Sequence, residues 1–299
     1  MSKREKCVII VLLSAILVVL CMVAVQMNSN PKGKQQTVTE DVEDHKIESE
    51  EDNSQYMDAT IPQEIQQYLQ ENGIENEDVA YCITDLEHNI KYSMNENQEF
   101  IAASIYKLPL AMIYYDGISD GTYSMDTTLV YDASMHEDAG RISSNYSFGS
   151  QIPLKDLLDC MILYSDNDAA HVLYENLGGW SSYKEKMTKY TDSISENYYT
   201  EENISTANTM NDVLSYLYAH QDIYKDLIEN MKKAEPGNYL DKDIQQQMPQ
   251  KYGSYDYACN SAGFVESNTP YSIVVLTDLG DQGEDVMAKI NSIVYEKFK

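Results

Sequence analysis

The sequence predicts a mixed α/β fold in which both ends of one large domain complete a common layer around a mostly helical insertion. Two observations predict it. Strand-like segments occur only near the beginning and the end of the region from about residue 59 to residue 299, and the segments between them have helical apolar periodicity. The chain is 43% hydrophobic, which is ample for a core.

The elements follow from periodicity and from the Gly, Pro, Asn and Asp residues that separate them. Helices are predicted over 61–72, 104–117, 153–163, 168–176, 206–219, 223–234 and 285–298. Strands are predicted over 78–86, 90–94, 255–265 and 271–279, the first two as a hairpin. After the second predicted helix, a region containing Gly, Ser and Asp runs to about residue 151.

The N-terminus predicts a membrane segment. Lys3, Arg4 and Lys6 precede an uncharged apolar run from Val8 to Val25, close to the minimum for spanning a bilayer. No small-x-small cleavage site follows, so we expect residues 1–25 to be a signal anchor with the rest of the chain outside the cytoplasm; a cleaved signal peptide is the alternative.

Residues 26–58 are polar and acidic, and we expect a disordered linker to the domain over 59–299. The net charge of the chain is −28, which argues against a nucleic-acid partner because phosphates would be repelled. Cys82, Cys160 and Cys259 lie far apart without metal-ligand spacing, so buried free thiols are expected, with one disulfide as the alternative.

Ser104 and Lys107 are the first candidate catalytic pair. Residues three apart on a helix share a face, so the lysine amine can take the serine proton and make the hydroxyl a nucleophile. An N-capping serine followed by a solvated lysine would have the same spacing. The second candidate is Ser165-Asp166-Asn167 at a break between helices, where a hydroxyl can relay a proton and an amide can hold a substrate.

Together the two motifs resemble the penicillin-recognising serine hydrolases, most closely the class A β-lactamase-like family, which carries Ser-x-x-Lys, Ser-Asp-Asn and a Lys-Thr/Ser-Gly strand. The segments AASIYKLPLAMIYY and IPLKDLLDCMILYSDNDAAHVLYENLGG resemble its first two blocks. The resemblance covers residues 60–299. It implies a three-layer α-β-α sandwich of the β-lactamase/transpeptidase-like fold, with an antiparallel sheet formed by both chain ends and an inserted helical subdomain.

The resemblance also implies roles for individual residues. Ser104 would be the acylated nucleophile, Lys107 its activating base and Ser165 the carrier of the proton. Asn167 would orient Lys107 and the substrate amide, while Asp166 holds the loop. The backbone N–H of Ser104 would supply one half of the oxyanion hole.

The third motif is predicted at Ser261-Ala262-Gly263, before Phe264, although serine replaces the lysine and alanine the threonine. Ser261, Gly263 and Phe264 are therefore expected to bind substrate together with Asn167. Lys251, the nearest upstream cation, is given no role. No arginine follows Arg141, so a late guanidinium clamp for a substrate carboxylate is absent.

Class A β-lactamases activate the deacylating water with the glutamate of a Glu-x-x-x-Asn loop. In the corresponding region, 185–205, none of Glu196, Glu201 and Glu202 has an asparagine four residues later. They are interpreted as solvated loop charges, so an acyl-enzyme is expected to turn over slowly.

The leading hypothesis is a membrane-anchored, extracytoplasmic serine hydrolase acting on β-lactams or on peptidoglycan stem peptides. A sensing module that binds ligand without turnover and an esterase on the same fold are the alternatives. We expect a monomer with no metal and no cofactor.

Overall fold

The computed structural model describes residues 58–299. The anchor expected over 1–25 and nearly all of the linker expected over 26–58 lie outside the described residues. No helix within 58–299 combines the length and the apolar character needed to cross a bilayer.

The described part of the chain alternates between helices and strands. The helices are α1 (Thr60–Glu71), α2 (Lys107–Ser119), α3 (Arg141–Asn145), α4 (Leu154–Leu163), α5 (Asn167–Asn176), α6 (Trp180–Met187), α7 (Ala207–Ala219), α8 (Lys225–Lys233) and α9 (Gln282–Phe298). The strands are β1 (Val79–Asp85), β2 (Ile90–Met94), β3 (Phe100–Ile101), β4 (Thr128–Val130), β5 (Gln151–Pro153), β6 (Ile204–Ser205), β7 (Gln250–Tyr255), β8 (Ala258–Val265) and β9 (Tyr271–Thr277).

The main sheet has five strands in the order β2-β1-β9-β8-β7, and every neighbouring pair is antiparallel. Strands from the beginning and the end of the domain meet where Val79 lies opposite Thr277. This confirms the mixed α/β fold with a sheet built from both chain ends. Two short pairs, β3-β6 and β4-β5, stand outside the main sheet.

The sheet is buried on both faces because apolar side chains alternate between two layers. On one face Val79, Ile273 and Val275 pack against apolar residues of α1 and α9. On the other face Ala80 and Val274 join a larger cluster of apolar residues from the helical block. The terminal helices and the helical block are therefore the two outer layers of the sandwich.

The strand predicted over 255–265 is wrong in its extent. The structure contains a hairpin, β7 and β8, with a turn at Asp256, whose φ is 52°. The β7 sequence QKYGSY is mainly polar, so hydrophobic alternation does not reveal it. Helices α3 and α6 were also not predicted. Cys82, Cys160 and Cys259 are free thiols.

Candidate active site

Ser104 lies in a 3₁₀ turn, Ala103–Tyr106, that leads directly into α2. The preceding Ala103 has a φ of 48°, a left-handed conformation that is costly for a residue with a side chain. Asn203 holds this segment from the opposite side, since its Nδ2 donates to the Ala103 carbonyl at 2.8 Å and its own carbonyl accepts from Ala102 N at 2.8 Å. These bonds fix the backbone on which Ser104 is presented.

Lys107 joins the two predicted motifs. Its Nζ donates to the Ser165 carbonyl at 2.5 Å and to Asn167 Oδ1 at 2.5 Å, and it lies 3.4 Å from Ser165 Oγ. The side chain is fully buried. Burial lowers the pKa of Lys107 to about 8, against the opposing effect of nearby carboxylates. The amine can therefore be neutral near physiological pH and accept a proton.

Ser165 and its neighbours form a tightly held loop. Ser165 has a φ of 55°. The buried carboxylate of Asp166 accepts from Ala169 N at 2.8 Å and from Ile142 N at 3.0 Å, which ties this loop to the start of α3. Asn167 Nδ2 donates to Asp138 Oδ2 at 3.0 Å. Asp166 thus holds the loop, while Ser165 and Asn167 face Lys107.

Lys251 on β7 is a site residue that the sequence interpretation missed. Its Nζ lies 3.1 Å from Ser165 Oγ, donates to the Tyr252 carbonyl at 2.7 Å and sits 4.1 Å from the centroid of the Tyr252 ring. The side chain is fully buried, and burial, followed by repulsion from Lys107, lowers its pKa well below the usual range. Ser165 Oγ therefore lies between two buried amines.

Gly253, two residues further along β7, packs against the turn that carries Ser104. A Cβ atom built at this position would lie 2.3 Å from Ser104 N and 2.9 Å from Ser104 Cα. Only glycine allows this approach. The segment Lys251-Tyr252-Gly253 thus has the lysine and the glycine that the third motif requires, with tyrosine at the middle position.

The predicted position of the third motif, Ser261-Ala262-Gly263, is therefore wrong. Ser261 and Gly263 lie on the same face of β8 as Cys259, which packs toward the terminal helices α1 and α9. The Ser261 Oγ donates to Gln250 Oε1 at 3.0 Å in the interior. Phe264 is buried against Tyr218. Strand alternation keeps Ser261 and Gly263 off the face that carries Lys251. From this stretch it is Asn260 that reaches the site region, donating to the Ile101 carbonyl at 2.7 Å.

A cavity of about 290 Å³ opens beside Ser104. Ser104 and Asn167 line it together with Ser254 of β7 and with Glu202 and Asn203 of the loop between α6 and α7. Glu196 instead lines a separate cavity, and Glu201 is exposed. Of the three loop glutamates considered from sequence, Glu202 is the one that borders the space in front of Ser104.

The loop that carries Glu202 and Asn203 is held by Lys184 of α6. The Lys184 Nζ donates to three backbone carbonyls, those of Tyr198 at 2.5 Å, Thr200 at 2.7 Å and Glu202 at 2.7 Å. The lysine is buried, and burial lowers its pKa. No sequence motif marks this contact, because its acceptors are backbone atoms.

Comparisons with solved structures agree with the fold. A mutant of PBP-A, solved as an acyl-enzyme complex with penicillin G, has a TM-score of 0.70 and 16% identity, covering 80% of this chain and 96% of that one. A β-lactamase from Chitinophaga pinensis has a TM-score of 0.69 and 20% identity, with coverages of 80% and 99%. An ancestral class A β-lactamase has a TM-score of 0.69 and 18% identity, with coverages of 80% and 100%.

The decisive comparison is with a family model. The model described as the β-lactamase enzyme family matches residues 60–298, which are nearly all of the described part of the chain. The match extends from α1 through α9 and so includes both predicted motifs and β7. The chain belongs to the β-lactamase enzyme family.

Proposed function

We propose that this protein is a serine hydrolase whose Ser104 is acylated by the amide carbonyl of a β-lactam or of a peptidoglycan stem peptide. The single observation that carries the proposal is the convergence of Lys107 and Lys251 on Ser165 beside the Ser104 cavity. Such an arrangement supplies a candidate base at Lys107 and a candidate proton relay at Ser165 near the cavity that Ser104 lines.

In the proposed acylation, the neutral Lys107 amine takes the proton of Ser104 Oγ as that oxygen attacks the carbonyl carbon. The backbone N–H of Ser104 faces the developing oxyanion. Tyr255 and Ala258 are the pair next to the two-residue turn between β7 and β8. The N–H groups of an antiparallel strand point alternately toward and away from the neighbouring strand, so the Ser254 N–H points away from β8 and can also donate to the oxyanion. Ser165 then passes its hydroxyl proton to the leaving nitrogen as the C–N bond breaks, and it recovers a proton from the Lys107 ammonium 3.4 Å away.

We propose that hydrolysis of the acyl-enzyme is slow. The residue four positions before Asn203 is Tyr199, whose side chain is 60% exposed and cannot act as a carboxylate base. Glu202 borders the cavity, but no hydrogen bond joins Glu202 and Asn203 within residues 58–299. The protein would then behave as a penicillin-binding protein with weak β-lactamase activity.

The test follows the mass and the absorbance of the same sample. The full chain, purified in mild detergent, is incubated with a reporter penicillin and with a chromogenic cephalosporin. We expect a long-lived adduct that is lost in Ser104→Ala and little steady colour development. Rapid colour development would contradict slow turnover, and no adduct at millimolar ligand would contradict acylation itself.

We also propose that residues 1–25 anchor the chain in the cell membrane as a single span, that the family domain lies outside the cytoplasm, and that the protein is a monomer. The apolar run Val8 to Val25 with its preceding cations supports the orientation. Protease added to intact cells should degrade the domain, and light scattering of the purified protein should give the monomer mass. Protection from protease in intact cells would contradict the orientation.

A further inference from the structure

The side-chain amide of Asn167 is bonded at both of its ends. Its Oδ1 accepts from Lys107 Nζ at 2.5 Å, and its Nδ2 donates to Asp138 Oδ2 at 3.0 Å. An ionised carboxylate accepts hydrogen bonds and donates none, so Asp138 can bind only the Nδ2 end of the amide. A neutral lysine amine can both donate and accept. The contact with Asp138 therefore determines which end of the amide faces Lys107 when that amine is neutral.

The side chain of Asp138 is exposed, and the residue is held through its backbone. Asp168, in the first turn of α5, has a fully buried carboxylate whose Oδ1 accepts from Glu137 N at 2.7 Å and from Asp138 N at 3.4 Å. Asn167 is the first residue of the same helix. The backbone that carries the Asp138 carboxylate is thus tied to the helix turn that carries the amide.

The other oxygen of Asp168 completes this anchor. Its Oδ2 accepts from His136 Nδ1 at 2.9 Å and from the Tyr131 hydroxyl. Burial alone would raise the pKa of the Asp168 carboxyl, but the hydrogen bonds from Tyr131, from the backbone and from His136 lower it below its usual range. Asp168 therefore stays ionised and holds the segment 136–138 with four donors.

Asp138 also acts on Lys107 through its charge. Burial lowers the pKa of Lys107, and the negative charges of Asp138 and Glu137 are among those that act in the opposite direction. The Glu137 carboxylate lies 2.5 Å from His171 Nδ1, on the other side of the segment from the amide. Glu137 thus has the charge of Asp138 without its contact to the amide, so a substitution at each position separates the two effects.

We propose that Asp138 is a positioning residue that fixes the amide of Asn167 with Oδ1 toward Lys107, with Asp168 as its buried anchor. The inference rests on the proposed acylation of Ser104, in which the neutral Lys107 amine takes the proton. Nδ2 carries two hydrogens, so one remains to donate to a carbonyl oxygen of a substrate in the Ser104 cavity, which Asn167 lines. A reversed amide would present its own oxygen to that carbonyl, and the two oxygens would repel each other.

The first measurement is the limiting rate of adduct formation by the full chain with a reporter penicillin. It is made at pH 9.5, where Lys107 is mainly neutral in the parent and in the variants. Asp138→Ala removes the acceptor, and we expect the limiting rate to fall about tenfold. Asp138→Asn has an amide that can bind either end of the Asn167 amide, so it should give an intermediate rate.

Glu137→Gln is the matched control, because it removes the neighbouring charge and leaves the contact between Asp138 and Asn167 in place. Its limiting rate at pH 9.5 should equal that of the parent, although the midpoint of its pH profile should move to lower pH. A parental rate in Asp138→Ala, or an equal loss in Glu137→Gln, would overturn the positioning role.

The second measurement needs no reaction. In the Ser104→Ala full chain, the side-chain amide resonances of Asn167 are assigned by their loss in Asn167→Asp, and their exchange with solvent is measured by NMR. We expect exchange to be about fivefold faster when Asp138→Ala is added and unchanged when Glu137→Gln is added. Equal exchange in all three chains would mean that Asp138 does not hold the amide.

The two measurements separate this inference from the proposed function. If the parent forms no adduct, the acylation of Ser104 is overturned, and the exchange rates alone decide whether Asp138 orients Asn167. If the adduct forms and neither its rate nor the exchange depends on Asp138, the positioning role is overturned and the acylation stands.

Discussion

At the scale of single residues, the main feature of the site is two buried amines on either side of one hydroxyl. Lys107 and Lys251 both lie within 3.4 Å of Ser165 Oγ, and the proximity of Lys107 contributes to the low pKa of Lys251. Two adjacent buried charges of the same sign are unfavourable, so the pair gives up a proton more easily than an isolated lysine. The repulsion lowers the pKa of Lys251, whereas the pKa of Lys107 is lowered to about 8 by burial.

This leads to a prediction for the pH dependence of acylation. Burial lowers the pKa of Lys107 to about 8, and Asp166, Asp138 and Glu137 act in the opposite direction. In the proposed mechanism the neutral amine is the active form, so the second-order rate of adduct formation should rise as the pH increases through about 8 and level off above it. Asp138→Asn removes one of the opposing charges and should move the midpoint to lower pH.

The measurement is stopped-flow acylation by a reporter penicillin between pH 6 and pH 10. Asp243→Asn removes an equivalent charge from an exposed position in the segment before β7 and should leave the midpoint in place. A rate that falls with rising pH, or a midpoint that Asp138→Asn raises, would be incompatible with Lys107 as the base.

A second prediction concerns Gly253. In Gly253→Ala the new methyl group would overlap Ser104 N and Cα, which are backbone atoms that can move only together with the Ser104 side chain. We expect acylation to fall by at least 100-fold and stability to fall by about 1–3 kcal/mol from overpacking. Intact mass spectrometry and urea denaturation check the two effects.

Gly263→Ala is a closely matched control. Its Cβ would also be too close to its neighbours, 2.4 Å from the Pro249 carbonyl oxygen, but on the face away from Ser104. It should lose similar stability while keeping most of its acylation rate. Equal loss of acylation in both variants would mean that Gly253 acts only through stability.

Two of the three sequence motifs could be predicted because their spacing is local. Ser104 and Lys107 are one turn apart, and Ser165 and Asn167 flank the start of α5, so their proximity follows from helical geometry. The position of Lys251 and Gly253 depends instead on the register of β7 against β8, which no local pattern specifies. Tyr252, at the position where the third motif has threonine or serine, further hides the motif in the sequence.

At the scale of elements, the loop between α6 and α7 depends on one side chain. Lys184 supplies three hydrogen bonds to carbonyls of residues 198–202, and bonds to charged donors are worth about 1.5–3 kcal/mol each. Lys184→Met keeps the apolar part of the side chain and removes the donors. We expect a loss of about 2–4 kcal/mol in the free energy of unfolding, with faster amide hydrogen exchange in this loop.

Lys189→Met provides the control for that experiment. Lys189 lies near Lys184 in sequence and pairs with Asp116 Oδ2 at 2.7 Å, but its side chain is 52% exposed. A surface pair of this kind is worth less than about 1 kcal/mol. If the two variants were equally stable, the carbonyl contacts of Lys184 would not be what holds the loop.

The elements that the sequence predicted well are those whose burial leaves a periodic apolar pattern. Helices α1, α4, α5 and α7 have bounds close to those predicted, and β2 matches the predicted Ile90 to Met94. Strand β7 was missed because its buried residues include Gln250 and Lys251, which are satisfied by hydrogen bonds. Polar burial of this kind is invisible to hydrophobic periodicity.

At the scale of the whole molecule, charge opposes compactness. The net charge of the chain is −28, so its acidic groups repel one another, and salt screens such repulsion. We expect the thermal midpoint to rise between 50 mM and 500 mM sodium chloride at pH 7. The same change in salt should have a smaller effect near the isoelectric point, and a midpoint that falls with salt at pH 7 would contradict the expectation.

The order of strands in the sheet determines when in its synthesis the protein can become reactive. Ser104, Lys107 and Ser165 precede β7 in the chain, yet β7 joins β1 only through β8 and β9. A nascent chain in which Ser104 has already emerged from the ribosome therefore still lacks Lys251 and the backbone of Gly253. The proposed acylation of Ser104 therefore requires that the last strand has emerged, and we expect unfinished or C-terminally clipped chains to remain inert toward a β-lactam.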